Sequence, residues 1–416
     1  MNVKTIATTP ATYNKILHSA FSNNPLIEAL PQSLSVKDIA LRANYIPEIG
    51  EEDKHAPDLI RLALVEHIDL AYLASPQLVR LYQTVYAKLM QGYRFRNPLD
   101  TSVQRYMYEL SANTKVIPRW NQTSASVSLL IGPSGFGKTT TINNLRRLFP
   151  EVIQHTSYGD THLSLLQPVI VYVECPSSGN KSELISSIWN ALDSALGTDY
   201  AEQYGAASMD PISVQKKLCT ACMSHFVGMI IVDELQNLHG NDTTHASKAS
   251  PRFLEELFNQ IGVPVLLVGT WQSVPLLSSS FKTTRRSVGD SPMIERPYGA
   301  DDGYWKNLVE QLWTLQYCQK FTPLNDEIFQ YIYYCTAGLP SLLKRLIKAA
   351  NQYSIQFRTE IIDHDLLVDV FQNDFCAIHN ALNCLRNGDS GGFEDLIKPE
   401  QFLPSITEGV SAAVGS

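Results

Sequence analysis

Hydrophobic positions change their period twice along the chain. Up to about residue 110 they recur at helical spacing: Leu59, Leu62, Ala63, Val65 and Leu70 form one stripe, and Leu78, Leu81, Tyr82, Val85 and Leu89 form a second, opened by Pro76. No strand pattern interrupts them, so this stretch predicts helices alone. From Ser126 short apolar runs take over. Ser126–Ile131, Val169–Val173, Met229–Glu234 and Val263–Thr270 read as buried strands, and Met293–Arg296 as a last short one. Between them, Ile142, Leu145 and Phe149, then Leu184, Ile188 and Leu192, recur at helical spacing. This alternation predicts an α/β fold, a parallel five-stranded sheet with helices on both faces. Beyond residue 304 the pattern is helical again, through Trp305, Leu308, Leu312, Ile328, Ile332, Leu343, Leu346 and Ile347. The expected division is a helical N-terminal extension (1–115), an α/β core (116–300), a small helical lid (301–386) and a flexible tail (387–416) whose one apolar patch is Phe402-Leu403-Pro404.

Composition narrows the class of protein. With 44% apolar and 18% charged residues over 416 positions, the chain reads as globular. Its charges sum to 33 − 41 = −8, which excludes a general basic coat and confines any nucleic-acid contact to a local patch. Seven cysteines, an odd number, and no apolar core after Lys4 predict a reducing, cytoplasmic setting. No run approaches the roughly 18 apolar residues of a membrane span, so no membrane partner is expected.

The candidate chemistry sits at the ends of the predicted strands. Gly132-Pro133-Ser134-Gly135-Phe136-Gly137-Lys138-Thr139 matches the phosphate-loop pattern G-x-x-x-x-G-K-[ST], with a strand before it and a helix, running on through Thr140, after it. Glycines let backbone N–H groups close on phosphate oxygens, the lysine reaches the terminal phosphates, and the threonine hydroxyl ligates magnesium. A nucleoside triphosphate, ATP or GTP, with Mg2+ is therefore expected. The Met229–Glu234 run ends in Asp233 and Glu234. Asp233 is expected to hold magnesium with Thr139, and Glu234 to polarise the water attacking the γ-phosphate. If the Val263–Thr270 strand neighbours that pair, its C-terminal end places the hydroxyl of Thr270 beside the γ-phosphate.

Other residues are open to two readings. Lys282, Arg285 and Arg286 form either a solvated basic face or a source of arginine donors to a neighbouring subunit's site. The loop carrying Ser178, Asn180 and Lys181 is either a phosphate contact or a polar strand-to-helix turn. Lys344 and Arg345, one turn into the helix opened by Gly338-Leu339-Pro340, are cations within reach of a γ-phosphate. Tyr93-Arg94-Phe95-Arg96 faces a base, DNA phosphates or only a loop, and Asn24–Pro31 is a packed segment or a docking peptide. Cys219, Cys222 and His225 lack the second C-x-x-C of a structural zinc site and read as core.

The order of phosphate loop, Val232-Asp233-Glu234, Ile261–Pro264 through Gly269-Thr270, and Arg285-Arg286 resembles the AAA+ regulators of transposition, closest to the TnsC family of Tn-seven-like transposons. The resemblance extends to Asn24–Pro31, Arg96-Asn97-Pro98, Leu312–Gln316 and Leu385–Gly388. It implies ATP as the nucleotide, in an AAA+ P-loop ATPase that assembles as rings or filaments on duplex DNA, marks a target site, and engages a target-selection protein at one end and the transposase with its endonuclease partner at the other. It further implies Arg285 or Arg286 as the finger supplied in trans and the Ser178–Lys181 loop as the DNA-facing contact. No arginine directly follows Gly338-Leu339-Pro340, where a second sensor is common, so Lys344 or Arg345 is left as the candidate for that role by position alone. The wider AAA+ motifs also fit a helicase loader or replication initiator, and a nucleotide-switched scaffold that never touches DNA.

Overall fold

The computed structural model describes residues 6–111, 126–205, 211–239, 253–254, 257, 262–273 and 293–386. Lys282, Arg285, Arg286 and the tail from Asn387 lie outside the described residues. The chain divides into two compact units. The first comprises residues 1–36, 77–131 and 139–294, and the second 37–76, 132–138 and 295–416.

The first unit is built on a five-stranded sheet. In chain order, β1 is Thr9–Pro10, β2 Val127–Ile131, β3 Val152–Tyr158, β4 Thr161–Pro168, β5 Ile170–Glu174, β6 Met229–Asp233, β7 Val265–Gly269 and β8 Met293–Ile294. The main sheet has the order β5-β6-β7-β2-β8, parallel throughout, as the apolar runs predict. Every residue of β2, β6 and β7 is buried, the signature of strands covered on both faces. Because β7 lies between β6 and β2, the strand order reverses beside β2, and such a switch point opens a crevice at the carboxyl ends of the strands. The phosphate loop leaves β2 there.

A second, three-stranded sheet, β1-β3-β4, corrects the helix-only reading of the N-terminus. A two-residue strand has no period to detect, and β1 exists only because it pairs with β3, at Thr9↔Ile153 and Pro10↔Gln154. The Asn24–Pro31 segment packs rather than projects. Leu26, Ile27 and Leu30 are buried, Asn24 caps a short helix by accepting from Leu26 N (3.1 Å), and Gln167 Nε2 donates to Leu26 O (2.9 Å). Arg96 is also structural. Fully buried, it donates to Gly92 O (2.6 Å) and Val227 O (2.7 Å), and burial lowers its pKa to about 10.

The second unit is helical. Residues 37–76 share one apolar core with those after 295: Val65 and Ile68 join Trp305, Leu312, Trp313, Ile332, Leu343 and Phe375. The N-terminal extension expected as one domain is thus divided between the units. The residues that join it to the lid, such as Arg61 and Glu360, lie 299 positions apart and carry no local signal.

Candidate nucleotide site

The loop between β2 and the Lys138–Arg147 helix needs backbone freedom at two points. Gly135 and Gly137 have φ of +76° and +94°, where a side chain is strained. At Gly135 space is also short, since a Cβ would lie 2.3 Å from Ser341 Oγ. Phe136 stacks on Tyr298, with ring centroids 5.0 Å apart, and Ser341 N donates to Gly135 O (3.2 Å). Lys138 folds back on the loop, its ammonium donating to Gly132 O (2.9 Å) and Pro133 O (2.8 Å). These acceptors are neutral carbonyls, which anionic phosphate oxygens outcompete for an ammonium. Ser134 and Thr140 are exposed, and Thr140 O accepts from Asn144 Nδ2.

At the end of β6, Asp233 is 1% exposed and well supplied with donors. Thr139 Oγ1 (2.8 Å) and Tyr172 OH (3.2 Å) donate to Oδ2, and Glu234 N (2.8 Å) donates to Oδ1. Tyr172 is held protonated by its burial and then by the charge of Asp233. The sequence gives no sign of this tyrosine, which reaches Asp233 because β5 pairs with β6 in the register Glu174↔Asp233. Cys175, one residue beyond β5, has its pKa pushed up to about 12 by burial and by the carboxylates of Asp233 and Glu234, so it remains an unreactive thiol.

Glu234 leaves the strand with φ of +57°, a conformation that costs a side-chain-bearing residue about 1–3 kcal/mol and clusters at functional sites. Its carboxylate accepts a hydrogen bond from Gln236 Nε2. Thr270 follows β7, which pairs directly with β6, so the adjacency its expected role required is present. The Thr270 hydroxyl is buried with no hydrogen-bond partner among the described residues. A buried hydroxyl without a partner is costly, and a phosphate oxygen would satisfy it. The donor set therefore fits a magnesium-bound triphosphate: a hydroxyl and a carboxylate for the cation, a second acid beside them, and an unpaired hydroxyl donor.

The remaining candidates have other contacts. Asn180 caps the Lys181–Leu196 helix by accepting from Ser182 N, Ser178 Oγ donates to Glu183 (2.6 Å), and the Lys181 ammonium lies 5.6 Å from the centre of the Phe253 ring. Lys344 Nζ donates to Asp69 O (3.0 Å), and Arg345 reaches Asp374 O while lying over the Phe375 ring. Cys219 and Cys222 are buried and unpaired, and His225 Nε2 shares a hydrogen bond with Tyr200 OH (2.7 Å). The burial of the two cysteines fits their reading as core.

Residues 121–277 match the family model described as an AAA domain. Similar solved structures include the ORC2 protein of Aeropyrum pernix, at 14% identity over 70% of this chain and 67% of that one, with a TM-score of 0.39. The Walker-type ATPase of Pyrococcus abyssi follows at 13% identity, 70% and 77% coverage and a TM-score of 0.38. Drosophila ORC bound to DNA gives 13% identity, 79% and 84% coverage and a TM-score of 0.37. No curated protein sequence matches the chain. The domain match and the parallel sheet with its phosphate loop define the class: this is an AAA+ P-loop fold.

Proposed function

We propose that this protein is an ATP-hydrolysing regulator of DNA transposition that oligomerises on duplex DNA and recruits a transposase to the marked site. The observation that carries the nucleotide part is the Thr139–Asp233 hydrogen bond, which joins the last residue of the phosphate loop to the strand-end acid next to Glu234. In this reading Gly132–Thr139 wraps the phosphates, and Lys138 exchanges its carbonyl partners for phosphate oxygens. Thr139 and Asp233 hold Mg2+, which when bound neutralises charge on the phosphate oxygens. Glu234 takes the proton of the attacking water, and the Thr270 hydroxyl donates to the transferred group. Arg285 or Arg286 serves a neighbouring subunit's site.

The transposition part rests on the sequence resemblance, which reaches beyond the ATPase motifs to Asn24–Pro31 and Leu312–Gln316. The Ser178–Lys181 loop is its DNA contact, with Lys181 the cation. A net charge of −8 is compatible with this, because a ring or filament repeats one modest contact per subunit along the phosphate backbone. Electron microscopy of the protein with duplex DNA and a non-hydrolysable ATP analogue tests the whole reading. ATP-dependent rings or filaments are expected for the native chain and none for Lys138→Ala. Bare DNA at low salt with the native chain would sink the proposal.

A further inference from the structure

The five-residue turn after the acid, Leu235–His239, is anchored on both flanks. Leu235 and Leu238 are buried, Asn237 N donates to Glu234 O (2.9 Å), and Asn237 Nδ2 donates to Cys175 O (2.9 Å). The chain after β5 presses close, so that a Cβ on Gly179 would lie 2.7 Å from Asn237 O. From this fixed turn Gln236 makes two bonds in opposite senses. Its amide nitrogen donates to Glu234 Oε2, and its amide oxygen accepts from Thr270 N (3.1 Å). Only this orientation serves both neighbours, because the reversed amide would aim its oxygen at a carboxylate and its NH2 at a backbone N–H.

We propose that Gln236 is a positioning residue for hydrolysis, tying the Glu234 carboxylate to the Thr270 end of β7 so that acid and hydroxyl keep a fixed separation. The inference rests on the ATPase reading above. Glu234 departs from the strand in a left-handed conformation, so the direction of β6 does not aim its side chain. The Gln236 amide supplies a constraint, and it places the acid relative to the Thr270 hydroxyl, which is buried with no partner among the described residues. A general base has to meet its water within hydrogen-bond reach, and a displacement of about 1 Å costs on the order of 10²-fold in rate.

The test compares steady-state hydrolysis, affinity for a fluorescent ATP analogue and melting temperature across four forms of the full chain. Gln236→Met keeps the length and removes both bonds. Gln236→Glu keeps the acceptor for Thr270 N but sets a second carboxylate against Glu234. Both should lose on the order of 10²-fold in kcat with unchanged nucleotide affinity and melting temperature. Gln236→Met hydrolysing at the native rate, or losing nucleotide binding along with kcat, would overturn the proposal. So would full activity in Gln236→Glu, which would reduce the residue to a brace for the Thr270 turn. Glu234→Gln separates the two levels: native hydrolysis in that variant defeats the assignment of Glu234 as the base, its loss beside an active Gln236→Met defeats only the positioning role, and no hydrolysis by the native chain defeats the ATPase reading itself.

Discussion

In the helical unit the buried guanidinium of Arg61 meets two carboxylates, whereas in the sheet unit the buried hydroxyl of Thr270 meets no hydrogen-bond partner among the described residues. Arg61, 2% exposed, donates to both oxygens of Glu360 (2.6 and 2.7 Å) and to Asp58 (2.8 Å), leaving only Nε without a partner. Thr270 is as deeply buried, and beside it Glu234 holds a left-handed backbone. Both sides hold a left-handed residue, Glu234 at +57° and Glu360 at +55°, so backbone strain does not separate them, and the contrast lies in the polar partners of these two buried groups. If that contrast is right, removing the unsatisfied group should spare the fold and harm the activity, while removing a satisfied one should do the reverse.

Thr270→Val is the sharpest way to break the comparison. It preserves shape and deletes a hydroxyl that stabilises nothing in the fold, so the melting temperature should hold or rise. Hydrolysis should fall on the order of 10²-fold, the usual cost of removing one donor to transition-state charge. A lower melting temperature with undiminished hydrolysis would make Thr270 a structural hydroxyl and remove the contrast.

Glu360→Gln probes the other side and should cost about 2–3 kcal/mol of unfolding free energy, because it leaves a buried guanidinium with one carboxylate instead of two. The hydrogen bonds from Arg61 hold the Glu360 carboxyl below its usual value of 4.5. The stabilisation it supplies is therefore fully present above that usual value and is lost as pH falls through the lowered one. Acid titration of stability should show a steeper loss below about pH 4.5 in the native chain than in Glu360→Gln, with hydrolysis at neutral pH equal in both. Equal acid slopes would mean that Asp58 alone satisfies Arg61.

How far each side was legible follows from sequence distance. The phosphate loop, Asp233, Glu234 and Thr270 announce themselves because each stands in or just after an apolar strand, and all five strands of the main sheet were placed to within two residues. Gln236 was missed although it is two residues past Glu234, because its role depends on β6 lying beside β7, which no local pattern encodes. The β3–β4 hairpin was missed for a different reason. Its register shifts between His155 and Ser157, which breaks the alternation a strand reader looks for. The assignment of residues 37–76 to the helical unit depends on pairs such as Lys348 with Glu66 and Asp69, close in space and about as far apart in sequence as Arg61 and Glu360.

The smallest expected effect is at a helix start. Asp302 opens the Gly303–Trp313 helix by accepting from Tyr304 N (2.8 Å) and Trp305 N (3.0 Å), and that helix carries Trp305 and Trp313 into the core. Loss of such a cap typically costs about 1 kcal/mol, and the negative charge near a helix N-terminus adds about 0.3–1 kcal/mol. Asp302→Ala should therefore lower the urea midpoint slightly, and Asp302→Asn, which keeps the accepting oxygen, should recover most of the loss. Hydrolysis should not change in either, because both bonds are spent on the helix. If the asparagine recovers nothing, charge rather than hydrogen bonding holds this end, and the helical unit then depends on electrostatics at its surface as well as at Arg61.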